Sequence, residues 1–572
     1  MNGNTLKKGR ITLLGILICA FALMLAGRLY YLQAIRSDDY LEQADRQYVK
    51  KGTALFDRGT IFMTDKKGEL VSAGTLKTGY IIAVEPRKIT QPEDVINGLS
   101  GVLDFEEEDL ISTIENADDP YEEIAKRVDE ATSERIDSLE LKGVSMFKER
   151  WRYYPGNEKA ANALGFTAFG DDGKMITGRY GLERYYNDVL SRDSSDLYVN
   201  FFAQIFSDIS EVIFVDEKSE GDIVTTLEPS VQAELEKKIA GVVKAWKSDL
   251  TGGIIMDPYT GEIFAMAIDP SFNPNDFSKA DSKVFGNALV DRVYEMGSII
   301  KPLAMAAGID AKVITPSSTY NDQGFVLVNG AKIENYDGKG RGHADMQKVL
   351  NDSLNTGMAF VTQKLGNERF TEYFMDFGFG QETGIDLPGE VRGLVDNLKS
   401  PRDIEHVTAS FGQGIAMTPI QTIRALSALG NGGYLPNPHL VRKIEYVSGE
   451  SREVTYEIPE PVLKPETSEA ITRMLVEVVD EALLKGKVKL KDYTVAAKTG
   501  TAQMAIETGG GYYEDRYLHS FFGYFPAYKP RFIIFLFTVN PKGAEYASHT
   551  LTYPFIDLTK FLINYYEIPP DR

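Results

Sequence analysis

Gly297-Ser298-Ile299-Ile300-Lys301-Pro302-Leu303-Ala304-Met305-Ala306-Ala307-Gly308 sets a hydroxyl and an amine three residues apart at the head of an apolar, small-residue run. The alanines favour helix, and Pro302 is tolerated in a first turn. On such a helix Ser298 and Lys301 share one face, within reach of each other. Gly297 permits a tight turn and a close substrate approach just before the hydroxyl. Two more motifs follow, 55 and then 145 residues further on: Ser353-Leu354-Asn355 and Lys498-Thr499-Gly500. Together the three hold the parts of a serine acyl-transfer site. These are an activated hydroxyl, a proton-relay pair, and a cation on a strand that can hold a carboxylate.

Each motif is weak alone, since a Ser-x-x-Lys is expected about twice by chance in a chain this long. The chain also contains a decoy for every one. Ser145-Met146-Phe147-Lys148, Ser271-Phe272-Asn273 and Lys77-Thr78-Gly79 repeat the three patterns. Flanking residues separate them. Ser145 precedes the charged run Lys148 to Arg152, which reads as a solvated segment. Ser271 lies in a turn between Pro270 and Pro274 with nothing helical after it. Lys77 precedes a plausible strand, Tyr80 to Val84, but far upstream of any candidate nucleophile. Lys498 is flanked by Val495-Ala496-Ala497 and Thr501-Ala502-Gln503, small residues suited to a strand edge that a peptide can approach.

With these motifs in order, the chain resembles the class B penicillin-binding proteins, nearest in layout to the septal, FtsI-like branch. The resemblance runs from about residue 11 to 566. It includes Asp257 to Glu262, Tyr294 to Ser298, Asp376 to Glu390, Ser410 to Gln421 and His519 to Phe532. Upstream it includes Asp57-Arg58-Gly59, Arg152 to Pro155 and Gly181-Leu182-Glu183. Two departures stand out: Met296 where the family usually has proline, and Asn162 where histidine is common.

The resemblance implies peptidoglycan D,D-transpeptidation. Ser298 is then the nucleophile, acylated by the penultimate D-alanine of a stem peptide with release of the terminal D-alanine. Lys301 is the candidate base, and burial beside Lys498 is the physical way to depress a lysine far enough to serve. Ser353 shuttles the proton, and Asn355 offers an amide to Lys301 or to the donor's backbone. Lys498, Thr499, Gly500 and Thr501 form the strand that binds the donor's carboxylate. By resemblance the backbone N–H groups of Ser298 and Thr501 make the oxyanion hole. β-Lactams acylate Ser298 because their ring amide mimics D-alanyl-D-alanine. The competing readings are a side-wall elongation transpeptidase and a catalytically silent β-lactam-binding scaffold or sensor.

Composition agrees. At 572 residues with a net charge of −21, the chain has room for two or three cores and lacks the clustered cations of a nucleic-acid surface. One cysteine, Cys19, excludes an intramolecular disulfide. Five histidines lie scattered without metal-ligand spacing, so neither a metal nor a cofactor is expected.

The expected architecture is α+β. A cytoplasmic tail (1–10) precedes a transmembrane helix (11–32), with Lys7, Lys8 and Arg10 on its inner flank. An elongated α/β pedestal, or dimerisation, domain (38–220) follows, where Asp57, Arg58, Arg152 and Glu183 read as structural ion pairs. The transpeptidase domain (222–566), which the resemblance implies is serine β-lactamase-like, an antiparallel sheet with a helical cluster, completes the chain. Within it strands are expected over Gly252–Asp257 and Arg531–Val539 and a helix over Ser468–Leu484. The expected location is a single-pass plasma-membrane protein with its catalytic domain extracytoplasmic. Expected partners are stem peptides, β-lactams, the membrane and, because no polymerase signature is present, a polytopic glycan polymerase; nucleic acid is not among them.

Overall fold

The computed structural model describes residues 56–103, 107–115, 121–170, 175–192, 220–456, 460–506 and 510–572. The chain divides into two compact units.

The smaller unit comprises Lys77–Trp151. In it the later part of strand Leu70–Val84 pairs antiparallel with Glu122–Val128, Tyr80 opposite Val128. Helix Pro92–Ser100 has proline in its first turn followed by Glu93 and Asp94, and buries Val95 and Leu99 one turn apart. Helix Glu130–Asp137 is capped by Asp129, whose carboxylate accepts the Thr132 N–H at 2.9 Å. Ile82, Val84, Val95, Leu99, Leu110, Ile114, Val128 and Ile136 form the core.

The larger unit contains Arg58–Leu76, Arg152–Arg192 and the described residues from 220 onward. Its centre is a five-stranded, wholly antiparallel sheet. The spatial order is Ala496–Ala505, Tyr512–Phe525, Phe532–Val539, Leu250–Met256, Ile263–Asp269. Every residue of Phe532–Val539 is buried, as a central strand covered on both faces requires. Successive side chains therefore feed two different cores. Ile534 and Leu536 pack with Val231, Leu235 and Ile239 of helix Pro229–Trp246 and with Phe555 and Leu562 of helix Thr552–Tyr565. Phe535 and Phe537 face a helical cluster built from Lys301–Asp310, Asn355–Leu365, Pro419–Ser427 and Pro465–Glu477. Helix Lys301–Asp310 is apolar all round and buried all round, apart from a half-buried Ile309.

A second sheet of this unit carries Val441–Tyr446, Gly221–Thr225 and Ile61–Thr64 in adjacent positions. Beside it Glu183, fully buried, receives Arg58 Nε and Arg152 Nε at 2.5 Å each and the Tyr154 hydroxyl at 3.1 Å. Burial alone would raise the Glu183 pKa, but Arg152 and Arg58 hold it below the usual carboxylate range. These groups are an interior ion cluster, as the blander sequence reading has it.

Two expectations need correction. The transmembrane helix expected over residues 11–32, on which the single-pass membrane location rests, is not found among the described residues. No helix among the described residues is long and apolar enough to cross a membrane, and residues 11–32 lie outside the described set. Charge keeps the longest described α-helix, Pro229–Trp246, from being such a span: it exposes Lys237 and Lys244 and also carries Glu234, Glu236 and Lys238. The α+β pattern of strands and helices is present among the described residues. The second correction is local. The continuous helix expected over Ser468–Leu484 ends at Glu477 and passes through a π turn, Val478–Ala482, into a 3-10 turn. Leu484 and Lys485 there adopt left-handed backbone angles that no α-helix continues through.

Candidate active site

Ser298 lies in a single 3-10 turn, Gly297–Ile300, that feeds directly into helix Lys301–Asp310. The Lys301 N–H closes that turn on the Ser298 carbonyl. Ser298 is half-buried, whereas Gly297, Ile299, Ile300 and Lys301 around it are buried. The turn needs its glycine. Gly297 has φ of +66°, and a Cβ there would stand 2.9 Å from the Thr501 carbonyl oxygen.

Ser353 sits at the turn between helix Met346–Asn351 and helix Asn355–Leu365. It is held at a φ of +55°, sparsely populated for a residue with a side chain. That backbone aims both its carbonyl and its hydroxyl at one amine. Lys301 Nζ donates to Ser353 O at 2.6 Å and to Ser353 Oγ at 3.2 Å. Lys498 Nζ donates to the same Oγ at 3.2 Å and to the Thr499 carbonyl at 3.1 Å. Two buried amines thus share one hydroxyl. Burial, and then the neighbouring Lys498 charge, hold Lys301 well below the ordinary lysine range. Burial also pulls Lys498 down to about 8. Among the described residues neither amine has a carboxylate partner, so the cluster carries the desolvation cost uncompensated.

Lys498, Thr499, Gly500 and Thr501 occupy strand Ala496–Ala505, which is the edge of the five-stranded sheet. Gly500 lets that strand lie against the Ser298 turn. A Cβ at Gly500 would stand 2.7 Å from the Met296 carbonyl oxygen and 3.0 Å from the Ile299 nitrogen. Ser520, opposite Gly500 on the neighbouring strand, donates to the same Met296 carbonyl at 2.7 Å. The Thr501 hydroxyl accepts the Ala547 N–H at 3.1 Å, which fixes its lone pairs and leaves its proton available.

Asn355 behaves differently. Its amide N–H group donates to the Glu334 carbonyl at 2.8 Å. A buried network fixes the start of its helix: the Thr356 hydroxyl donates to Asp322 at 2.8 Å, and Asn335 donates to the same carboxylate at 3.0 Å. Sequence reading missed Asp322 and Asn335, common residue types with no pattern around them, and Ser520, whose one signal was the His519-Ser520-Phe521-Phe522 flank.

The decoys stay apart. Ser145 lies on strand Val144–Tyr153, where residues three apart point to opposite faces, and its hydroxyl turns to Glu85. Ser271 donates to Asn162. Lys77 lies on strand Leu70–Val84, over the Trp151 ring.

Residues 251–557 match the family described as penicillin binding protein transpeptidase domain, and residues 56–200 match penicillin-binding protein dimerisation domain. The chain belongs to the penicillin-binding protein transpeptidases, and its activity is D,D-transpeptidation. It is 29% identical to stage V sporulation protein D of Bacillus subtilis, covering 96% of this chain and 83% of that one. Peptidoglycan D,D-transpeptidase FtsI of Escherichia coli K12 is 26% identical, covering 95% and 89%. Among solved structures, penicillin binding protein 3 of Mycobacterium tuberculosis, complexed with aztreonam, superposes with a TM-score of 0.67 at 22% identity over 91% of this chain and 98% of that one.

Proposed function

We propose that Ser298 is the acyl-carrying nucleophile of this transpeptidase and that Lys301 is its base. The observation that carries the reading is the Ser353 hydroxyl held at 3.2 Å by each of two buried amines. Lys301, its pKa depressed, supplies a neutral amine that takes the Ser298 proton as Oγ attacks the penultimate D-alanine carbonyl. Ser353 passes that proton to the departing amine of the terminal D-alanine. Lys498, with Thr499 and Thr501, holds the donor's terminal carboxylate, and the N–H groups of Ser298 and Thr501 receive the oxyanion. The amine of a second stem peptide then attacks the Ser298 ester and restores the hydroxyl. A β-lactam follows the first half of this path, its ring amide in place of the D-alanyl-D-alanine bond. The glycan strands to be joined come from a separate polymerase.

Fluorescent penicillin tests the assignment. It labels one serine, Ser298, and Ser298→Ala abolishes the label; an adduct mapped to Ser145 overturns the reading. Septal wall synthesis is the duty that goes with the FtsI-like layout. The 29% identity to a sporulation protein favours a second reading, the wall of a developing spore. Filamentation on depletion supports the first, and normal division with defective spores supports the second.

A further inference from the structure

Three segments meet at the side chain of Glu295, three residues before Ser298. The first is the Ser298 segment itself. The second is the loop of the Ser410 to Gln421 run. It is bound to the first by backbone: Tyr294 and Met417 exchange both hydrogen bonds at 2.9 Å, and the Gly297 N–H donates to Gly412 at 3.1 Å. The third is the hairpin that continues the Lys498 strand, where Tyr512 stands opposite Ala505. One oxygen of Glu295 joins all three. Its Oε1 accepts the Gly414 N–H at 3.0 Å and the Tyr512 hydroxyl at 3.2 Å. The other oxygen, Oε2, is buried and has no hydrogen-bond partner among the described residues.

We infer that Glu295 is a positioning residue for acylation: through two acceptor bonds on one oxygen it fixes the Ser298 turn against the hairpin that carries Lys498 and Thr501. The inference rests on the reading of Ser298 as nucleophile. A tie of this kind matters because the attacking oxygen and one oxyanion donor belong to the Ser298 turn, while the other donor, the Thr501 N–H, belongs to the strand of that hairpin. A misplacement of about 1 Å between such groups costs roughly a hundredfold in rate. The pair of bonds needs an acceptor, not a charge. Burial raises the Glu295 pKa, with Gly414 and Tyr512 pulling the other way, and no cation is bonded to the carboxyl among the described residues. A glutamine, whose amide oxygen accepts the same two bonds, is therefore the faithful substitute.

The test uses the full chain and a fluorescent penicillin, separating the first-order acylation step from the noncovalent dissociation constant, with thermal melting alongside. Glu295→Ala slows acylation by about tenfold to a hundredfold and changes the dissociation constant by less than about threefold. Glu295→Gln recovers most of that rate. Tyr512→Phe, which removes one hydroxyl at a half-exposed site, gives part of the loss, and the double variant is no slower than Glu295→Ala alone. Acylation at the normal rate in Glu295→Ala or in Tyr512→Phe overturns the inference. So does a glutamine variant as slow as the alanine, or a slowing that simply follows the melting temperature. Ser298→Ala is run in parallel. If it still labels, the nucleophile assignment has failed; if it is dead while Glu295→Ala is normal, only the positioning role has failed.

Discussion

Replacing Lys498 by methionine separates its two proposed tasks. Each amine lies 3.2 Å from the same Ser353 oxygen, so Lys301 Nζ and Lys498 Nζ are at most about 6.4 Å apart. At an effective dielectric near 20, two unit charges at that distance repel by about 2.6 kcal/mol. Lys498→Met removes this repulsion, and Lys301 then holds its proton to higher pH. The sign is fixed by the mechanism. Acylation needs neutral Lys301, so the rate rises with pH through the Lys301 titration, and the variant's rise moves alkaline by about one pH unit or more. In the parent enzyme the rate also falls at the basic end, as Lys498 loses its proton near 8 and the carboxylate its cation. The variant lacks that basic limb. Loss of a charge-assisted hydrogen bond weakens noncovalent penicillin binding separately, by about 1.5–3 kcal/mol. Stopped-flow acylation from about pH 6 to 10 reads both effects. An acidic limb that stays in place in Lys498→Met refutes the coupling of the two lysines.

Lys301→Ala slows acylation by about 10²–10⁴-fold with the melting temperature kept or raised, because the variant also removes a buried, desolvated amine; the check is rate against melting on one sample. Gly500→Ala lowers acylation and stability together, since the added Cβ meets the Met296 carbonyl and the Ile299 nitrogen, both backbone. Ser520→Ala does not rescue it, although it clears the one clashing side chain. Glu183→Gln leaves Arg58 and Arg152 without their buried counter-charge and costs about 3–5 kcal/mol, read by denaturant titration. Since the Glu183 pKa is lowered, the parent's contribution from this cluster is present at neutral pH and lost in acid, as pH falls through the folded value.

Much of the site was legible because its chemistry is locally encoded. Ser298 and Lys301 lie one helical turn apart, and the alanine run that follows favours helix, which is what it forms. The strands around Leu250–Met256 and Phe532–Val539 were marked by apolar runs between turn residues. Sequence also separated Ser298 from Ser145 through flanking charge, and the strand geometry at Ser145 agrees. What it could not assign was the direction of a side chain whose partner is distant in the chain. Asn355 has an amide suited to Lys301 or to the donor's backbone, and its N–H group donates to the Glu334 carbonyl, at the start of a helix fixed by the Asp322, Asn335 and Thr356 network.

By itself, then, the amino-acid order determined which residue types are available for acyl transfer, that a helix follows Ser298, and that apolar strands flank turn residues in the same domain. These follow from propensity and periodicity, which act over a few residues, whereas the sheet with a helical cluster was implied by the family resemblance. Tertiary structure alone decided that Lys301 and Lys498 share the Ser353 hydroxyl, that Gly500 brings an edge strand onto the Ser298 turn, and that Glu295 bridges to Gly414 and Tyr512. Each of those contacts joins segments from about 50 to more than 200 residues apart, through sheet register and helix packing. The depressed lysines belong to the same group, because desolvation is a property of what surrounds a side chain in space and not of its neighbours along the chain.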